Sequence, residues 1–331
     1  MPLSNDAHYG VLPMSEAINR VAGVPTIIDE LGIFKKTMLT TTYVNVESKG
    51  GALTLVDAVP RGTPGNPVRE QRGKVRTFSC LHLPKNDVVR ADDVQNVRSF
   101  GSNKNTLTVA QKVAKKLAAM KADIDYTIEH LRLGALKGKL LNADGGELVD
   151  IYKEFGMTRP KHTLKLTGQD AHAGKELEAV LSKMQNKRQG EMVRGWAVLC
   201  GLEFLQKLKY HPTMQEIYLR YKEAQVYRDG SSANVEFEHM GVKFIQYDHQ
   251  FGNSQSNIAD DEGILLPLGT ANTFREFYAP ADMNETVNTS ALSYYASREP
   301  MTHKKGWDLH AQSNPLPMLL RPELVATLTL S

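Results

Sequence analysis

The apolar positions of one segment follow the 3.6-residue period of an α-helix over an unusual length. Between residues 106 and 133, apolar side chains recur at steps of three and four and form one stripe. The stripe consists of Val113, Leu117, Met120, Ile124, Ile128 and Leu131. Such a helix, with Thr106 able to cap its start, is roughly 40 Å long. It is longer than an average globular helix, so we expect it to span much of the molecule.

Charged residues lie between the apolar positions of this helix. Lys121 with Asp125, and Glu129 with Arg132, have the spacing of surface ion pairs. Asp123 and Asp125 cannot face the same way on a helix, so a metal shared by them is not expected. The pattern therefore predicts a solvated charged face.

Residues 1–38 have modest apolar content and are typical of an arm. Ser15 is a candidate cap for a short helix, and Pro25 begins a second short segment that Gly32 ends. We expect this arm to need another surface to order it.

Residues 39–90 alternate in the manner of extended chain, and a breaker-rich stretch divides them. That stretch carries several bases and a single acid, Glu70; the bases are Arg61, Arg69, Arg72, Lys74 and Arg76. A long hairpin with little apolar surface is marginal alone. The pattern favours two interpretations, an electrostatic contact with another subunit or a solvated face.

The second half of the chain alternates helix-like and strand-like segments. The predicted elements are a hairpin over 140–152, helices near 175–187, 202–208 and from 212 to about 223, and strands at 241–247 and 263–268. Alternating apolar residues at 326–330 predict that the chain ends in a buried strand instead of a polar tail.

Composition excludes several classes of protein. With 331 residues, 41% hydrophobic residues and a net charge of +3, the chain is globular and too weakly basic for a dedicated nucleic-acid binder. Cys80 and Cys200 have neither metal spacing nor a disulfide pattern. No signal peptide and no membrane-spanning run is expected.

The only loop with candidate chemistry is Asp260-Asp261-Glu262. Consecutive carboxylates can bind a hard cation, although solvated carboxylates are the simpler interpretation. The sequence shows neither a phosphate-binding loop nor a catalytic constellation, so no enzyme activity and no cofactor are predicted. A metal-dependent hydrolase using this loop, and a nonspecific DNA-binding protein using the basic hairpin, are the alternatives.

The order of these parts resembles a known family. The segments that carry the likeness are Gly32-Ile33-Phe34, Arg61-Gly62, Asp92–Gln95, Arg98–Gly101, Leu136-Lys137-Gly138, the Asp144-Gly145 turn, Gly241–Tyr247, Tyr278–Ala281 and Gln312–Met318. Together they resemble the major capsid proteins of tailed phages with the Hong Kong 97-type fold, specifically the lambda-like major capsid protein E family. The resemblance covers nearly the full chain, and the order of the segments is more specific than any one of them.

The resemblance implies an α+β fold in four parts. These are an N-terminal arm (1–38), an extended E-loop (39–95), a P-domain (96–158 with 300–331) and an A-domain (159–299). The P-domain would hold the long spine helix, and the A-domain would meet its copies around the local five- and six-fold axes.

The resemblance also implies function and partners. Hexamers and pentamers of the chain would close an icosahedral head around double-stranded DNA, which they would contact weakly. A decoration protein, a portal and a separately encoded scaffolding protein would be further partners, the last because the chain begins without a long helical prodomain. Assembly would take place in the host cytoplasm, with no membrane, active site or cofactor. The five bases between Arg61 and Arg76 would pair with acidic groups on adjacent subunits.

Overall fold

The computed structural model of the protein describes residues 10–48, 74–95, 108–167, 172–225, 235–251 and 257–331. The helices are α1 (Val11–Arg20), α2 (Ile27–Glu30), α3 (Val109–Lys137), α4 (Ile151–Phe155), α5 (Ala173–Asn186), α6 (Leu202–Lys209) and α7 (Pro212–Gln225). The strands are β1 (Lys35–Met38), β2 (Tyr43–Ser48), β3 (Lys74–Ser79), β4 (Leu83–Arg90), β5 (Lys139–Leu141), β6 (Glu147–Asp150), β7 (Lys161–Leu164), β8 (Gly195–Cys200), β9 (Val235–His239), β10 (Val242–Gln246), β11 (Glu262–Leu268), β12 (Phe274–Tyr278), β13 (Tyr295–Pro300), β14 (Gly306–Ser313), β15 (Pro315–Leu319) and β16 (Ala326–Leu330).

The chain divides into two compact units, each built from separate stretches of sequence. The first unit comprises residues 1–44, 78–132 and 275–318, and the second comprises 45–77, 133–274 and 319–331. The mixture of helices and sheets is the predicted α+β class. The predicted division into four domains stays a prediction.

The first unit is organised around the long helix α3. Its predicted apolar stripe is buried along its whole length, which confirms that prediction. The stripe packs with α1 and with one face of an antiparallel sheet of order β13-β14-β4. Thr108 and Gln111 exchange side-chain and backbone hydrogen bonds of 3.2 and 3.0 Å, a capping box that starts the helix. The predicted cap, Thr106, lies outside the described residues.

Helix α1 begins earlier than predicted. It begins at Val11 with Gly10 as its N-cap, so the prediction that Ser15 caps it is wrong. Ser15 is instead buried on the helix, where its hydroxyl accepts a 3.0 Å hydrogen bond from the Ala296 amide. Ser15 therefore holds α1 against β13 instead of capping the helix. The short helix α2 and the left-handed Gly32 after it, with φ of +58°, confirm the second predicted segment.

Strands β2 and β3 form a separate two-stranded sheet, so the described parts of residues 39–90 are extended as predicted. The Thr77 hydroxyl donates a 2.7 Å hydrogen bond to the Asn45 side chain across the pair. Residues 49–73, with most of the predicted basic hairpin, lie outside the described residues.

The second unit is built on a six-stranded sheet of order β7-β16-β11-β8-β10-β9, which packs with helices α5, α6 and α7. β8 and β11 are continuous apolar runs because they lie in the middle of this sheet. The C-terminal strand β16 lies between β7 and β11, so the predicted buried end of the chain is confirmed. The Phe237 and Phe244 rings stack in the core, 4.5 Å apart.

The end of α3 is fixed by the predicted hairpin, β5 paired with β6. Gly138 follows the helix with φ of +84°, a conformation that glycine adopts without strain. A Cβ atom built there would lie 2.1 Å from the Tyr152 ring. This turn therefore needs glycine for its backbone conformation and for the close approach of Tyr152.

Candidate functional site: the charge ladder of α3 and the basic segment

Four charged residues on α3 form what we term the charge ladder: Lys121, Asp125, Glu129 and Arg132. Their exposed fractions are between 0% and 9%, so the prediction of solvated ion pairs on this face is wrong. Each hydrogen-bonds to part of the segment between residues 18 and 29. The ladder lies on the flank of the apolar stripe, where this segment covers it.

The first rung is Lys121. Its Nζ donates hydrogen bonds to the carbonyl oxygens of Ile18 and Val21, which end α1 and follow it. It also lies 4.7 Å from the centre of the Tyr294 ring. Burial lowers the pKa of Lys121, and the Asp125 charge opposes that effect. Lys121 thus provides the charge-assisted partner for the C-terminal carbonyls of α1.

The middle rungs are carboxylates that accept backbone hydrogen bonds. Asp125 accepts from the Val24 amide at 3.2 Å and from the Tyr294 hydroxyl. Burial, together with the bond to Asp125, raises the pKa of Tyr294 well above its ordinary value. Glu129, fully buried, accepts from the Thr26 hydroxyl at 2.7 Å and from the Ile28 amide at 3.0 Å.

Arg132 ends the ladder with a bidentate ion pair. Its Nε and Nη2 each lie 2.9 Å from a carboxylate oxygen of Glu276, and its Nη1 lies 2.8 Å from Asp29. The Tyr278 hydroxyl donates to the same Glu276 carboxylate at 3.0 Å. Burial alone would lower the pKa of Arg132, but the bonds and charge of Glu276 raise it above its ordinary value.

Taken together, these contacts fix the register of the N-terminal segment on α3. A shift of the segment along the helix would leave several buried charges without their partners, and an unpaired buried charge lowers stability. Asp123 lies outside the ladder, exposed and 2.8 Å from Lys85, so the prediction that it faces away from Asp125 is confirmed.

The predicted contact residues between Arg61 and Arg76 are only partly described. Arg61, Arg69 and Arg72 lie outside the described residues, and Lys74 begins β3. Arg76 packs its guanidinium 5.0 Å from the Phe155 ring, and its Nε donates to the Glu154 carbonyl oxygen. Its Nη1 is buried with no hydrogen-bond partner among the described residues. Arg76 therefore anchors β3 to α4 within its own chain, and the predicted intersubunit contact stays a prediction.

The acidic loop at Asp260–Glu262 forms its hydrogen bonds through backbone carbonyl groups. The Asp260 carbonyl oxygen accepts from the Phe204 amide at 2.7 Å, and that of Glu262 accepts from the Gly201 amide at 2.9 Å, so the loop binds the start of α6. Asp260 and Asp261 point to solvent. Within the part of the chain that the structure describes, no group of three or more His, Cys, Asp and Glu side chains is placed to hold a metal ion. Among the same residues, no helix has the length and apolarity to span a membrane.

Comparison with known proteins assigns the architecture. The model of a family described as phage major capsid protein E matches residues 11–330. The chain belongs to that family. The major capsid protein of Salmonella phage Felix O1 is 25% identical, over 97% of this chain and 96% of the relative. That of Pseudomonas phage KPP10 is 28% identical, over 98% of this chain and 97% of the relative.

A solved structure supports the fold. The protein, described as a capsid protein of a prophage in E. coli CFT073, superposes with a TM-score of 0.55 over 95% of both chains, at 12% identity. The α+β fold of Hong Kong 97 type predicted from the sequence is confirmed.

The predicted function is confirmed with it, because the chain is a phage major capsid protein and a component of the capsid shell. The hydrolase and DNA-binding alternatives receive no support.

The sequence analysis did not identify the charge ladder as a buried structure. The available signal was that these charges recur at steps of three and four beside the apolar stripe, not opposite it.

Proposed function

We propose that copies of this chain associate into hexamers and pentamers that close an icosahedral head around double-stranded DNA, and that the role is structural and not catalytic. The observation that carries the proposal is the family match over residues 11–330, nearly the whole chain. Closed shells need the same contacts repeated around rotation axes. A rigid helix with a firmly bound N-terminal segment suits subunits that must present those contacts identically.

The basic segment from Arg61 to Arg76 contributes to the contact between copies. In support, β2 and β3 form a two-stranded sheet with large apolar residues exposed, Tyr43 at 47% and Val75 at 56%. A two-stranded sheet of this kind gains stability when another surface covers it. The segment carries five bases and one acid, which suits an acidic neighbouring surface.

The remaining parts have proposed roles in the same head. Residues 159–299 meet their copies around the ring axes, and the shell takes a decoration protein, a scaffolding protein and a portal as partners. Packaged DNA is contacted weakly and nonspecifically, in keeping with a net charge of only +3.

Sedimentation velocity of the purified chain tests the assembly. We expect species of ring or shell size alongside free subunits, in proportions that depend on concentration and salt. A single small species at every concentration, with and without the neighbouring phage genes, would contradict the proposal.

A matched pair of variants tests the basic segment. Arg72→Glu should reduce the assembled fraction at least about tenfold, since one repulsive contact recurs in every ring. Lys115→Glu, an exposed lysine on α3 outside the residues proposed to meet other copies, imposes the same change in net charge and should leave assembly unchanged. Equal assembly of both variants would remove the basic segment from the interface.

A further inference from the structure

One imidazole of the second unit joins three parts of the chain. The Nε2 atom of His211 lies 3.1 Å from the Leu166 carbonyl oxygen, and its Nδ1 atom lies 2.8 Å from the Thr213 hydroxyl. The Thr213 amide also donates to Nδ1, at 3.3 Å. The Thr213 hydroxyl accepts in turn from the Ala173 amide, at 3.4 Å. His211 therefore connects residues 161–166, which we term the β7 segment, with the start of α7 and, through Thr213, with the start of α5.

These partners fix the protonation of His211. A carbonyl oxygen can only accept, so Nε2 carries a proton, and an amide N–H can only donate, so Nδ1 carries none. His211 directly precedes α7, and its Nδ1 takes the role that a serine or aspartate oxygen has in a helix cap. Protonation of Nδ1 would remove that acceptor and place a positive charge at the positive end of the α7 dipole. The observed contacts therefore exist only with a neutral imidazole.

A second histidine on the β7 segment is also suited to the neutral state. His162 lies opposite Leu328 of β16, and its Nε2 atom is buried with no hydrogen-bond partner among the described residues. Burial, together with the charges of Lys187 and Lys183 from α5, lowers the pKa of His162. A protonated His162 would bury an unpaired N–H group beside two positive charges, which lowers stability.

Neither imidazole has an acid that would pair with its charged form. Among the described residues, no carboxylate forms an ion pair with His162 or His211. Two acids on the adjoining helices α6 and α7 are paired with bases of their own helix, Glu203 with Lys207 and Glu216 with Arg220. The other titratable groups that the surrounding elements bring are Lys161, Lys183, Lys187, Lys209, Glu176, His239 and the carboxyl group of Ser331. Protonation of either histidine therefore adds a charge to a region in which bases predominate.

We infer that His162 and His211 form a pH-sensitive latch, which holds the β7 segment while both imidazoles are neutral and releases it on acidification. β7 is the outermost strand of the six-stranded sheet, so it can separate while the inner strands stay paired. An unperturbed histidine titrates near pH 6.5, so the stabilisation by the latch is full above about pH 7 and is lost as the pH falls towards about 5. The latch belongs to a single copy and does not depend on the proposed assembly.

Hydrogen–deuterium exchange of the full chain, followed by mass spectrometry, measures the release. A histidine that stays neutral in the closed state and titrates freely in the open state favours opening by about 25-fold between pH 7 and pH 5. The protection factor, which corrects for the intrinsic pH dependence of exchange, should therefore fall at least about tenfold in a peptide that covers β7. The protection of β8, in the middle of the same sheet, should change less than about twofold.

Side chains that do not titrate test the two histidines. His211→Asn keeps an acceptor for the Thr213 amide, because asparagine is a favoured N-cap residue, and His162→Gln removes the second imidazole. The double variant should retain the protection of β7 at pH 7 to within about threefold and should show no fall at pH 5. His249→Gln is the control, since it replaces a histidine of the same unit that contacts Tyr247, and it should show the full fall.

Two results would overturn the inference: equal protection of β7 at pH 7 and pH 5 in the unchanged chain, or an undiminished fall in the double variant. Loss of β8 protection at pH 7 would show that the double variant does not fold, and the single variants then provide the test. Each single variant should reduce the fall in β7 protection by about threefold. A full fall in both of them would also overturn the inference.

Discussion

The bidentate pair between Arg132 and Glu276 should be the most sensitive polar contact of the first unit. The Arg132 side chain is 7% exposed and that of Glu276 is fully buried. Glu276→Gln keeps the shape of the side chain but leaves the guanidinium buried with Asp29 as its remaining charged partner. Removal of one member of a buried pair costs about 3–5 kcal/mol of unfolding free energy, since the remaining charge stays desolvated.

Urea unfolding of the unassembled subunit, followed by circular dichroism, measures that cost. The double variant Arg132→Met with Glu276→Leu should lose less stability than Glu276→Gln alone, because apolar residues can replace a buried pair at low cost. Lys85→Met is the control: it breaks the exposed pair with Asp123 on the same helix and should cost less than about 1 kcal/mol. A cost below about 1 kcal/mol for Glu276→Gln would refute the reasoning about this pair.

Three further predictions concern the second unit. Gly138→Ala should lower the free energy of unfolding by more than about 3 kcal/mol, because the added Cβ overlaps the Tyr152 ring. Gly156→Ala is the control: Gly156 has φ of +64° but open space around it, so urea unfolding should show a loss of only about 1–2 kcal/mol. Burial raises the pKa of Tyr152 to about 12. The neutral phenol therefore contributes roughly 2–3 kcal/mol to the free energy of unfolding below pH 10, and this contribution is lost as the pH rises to 12. Tyr152→Phe should reduce that loss, as measured by unfolding at pH 9 and pH 11. Cys200 is fully buried with a raised pKa, so iodoacetamide at pH 8 should modify it only in unfolded protein, and modification of the native thiol, measured by mass spectrometry, would contradict its placement.

The sequence was sufficient where structure follows from local periodicity. The stripe from Val113 to Leu131 repeats at the helical period, and its burial follows from that pattern alone. The C-terminal strand was equally visible, because an alternating apolar run at a chain end must be covered. Its neighbours β7 and β11 were not fixed by that argument, since strand order depends on contacts distant in sequence.

The charge ladder was misjudged because its partners are remote. Glu129 binds a hydroxyl and an amide 103 and 101 residues away, and Arg132 binds a carboxylate 144 residues away. Lys and Glu at steps of three and four are the same pattern whether water or another segment covers them. The prediction that Ser15 caps α1 was wrong for the same reason, since its hydrogen-bond partner Ala296 is 281 residues distant.

Electron microscopy of the purified chain, expressed with its neighbouring phage genes and separated by size, tests the central claim most directly. Closed shells, or rings of five and six subunits, are the predicted result. Uniform monomers or dimers under every condition would contradict the assignment of this chain to the capsid shell.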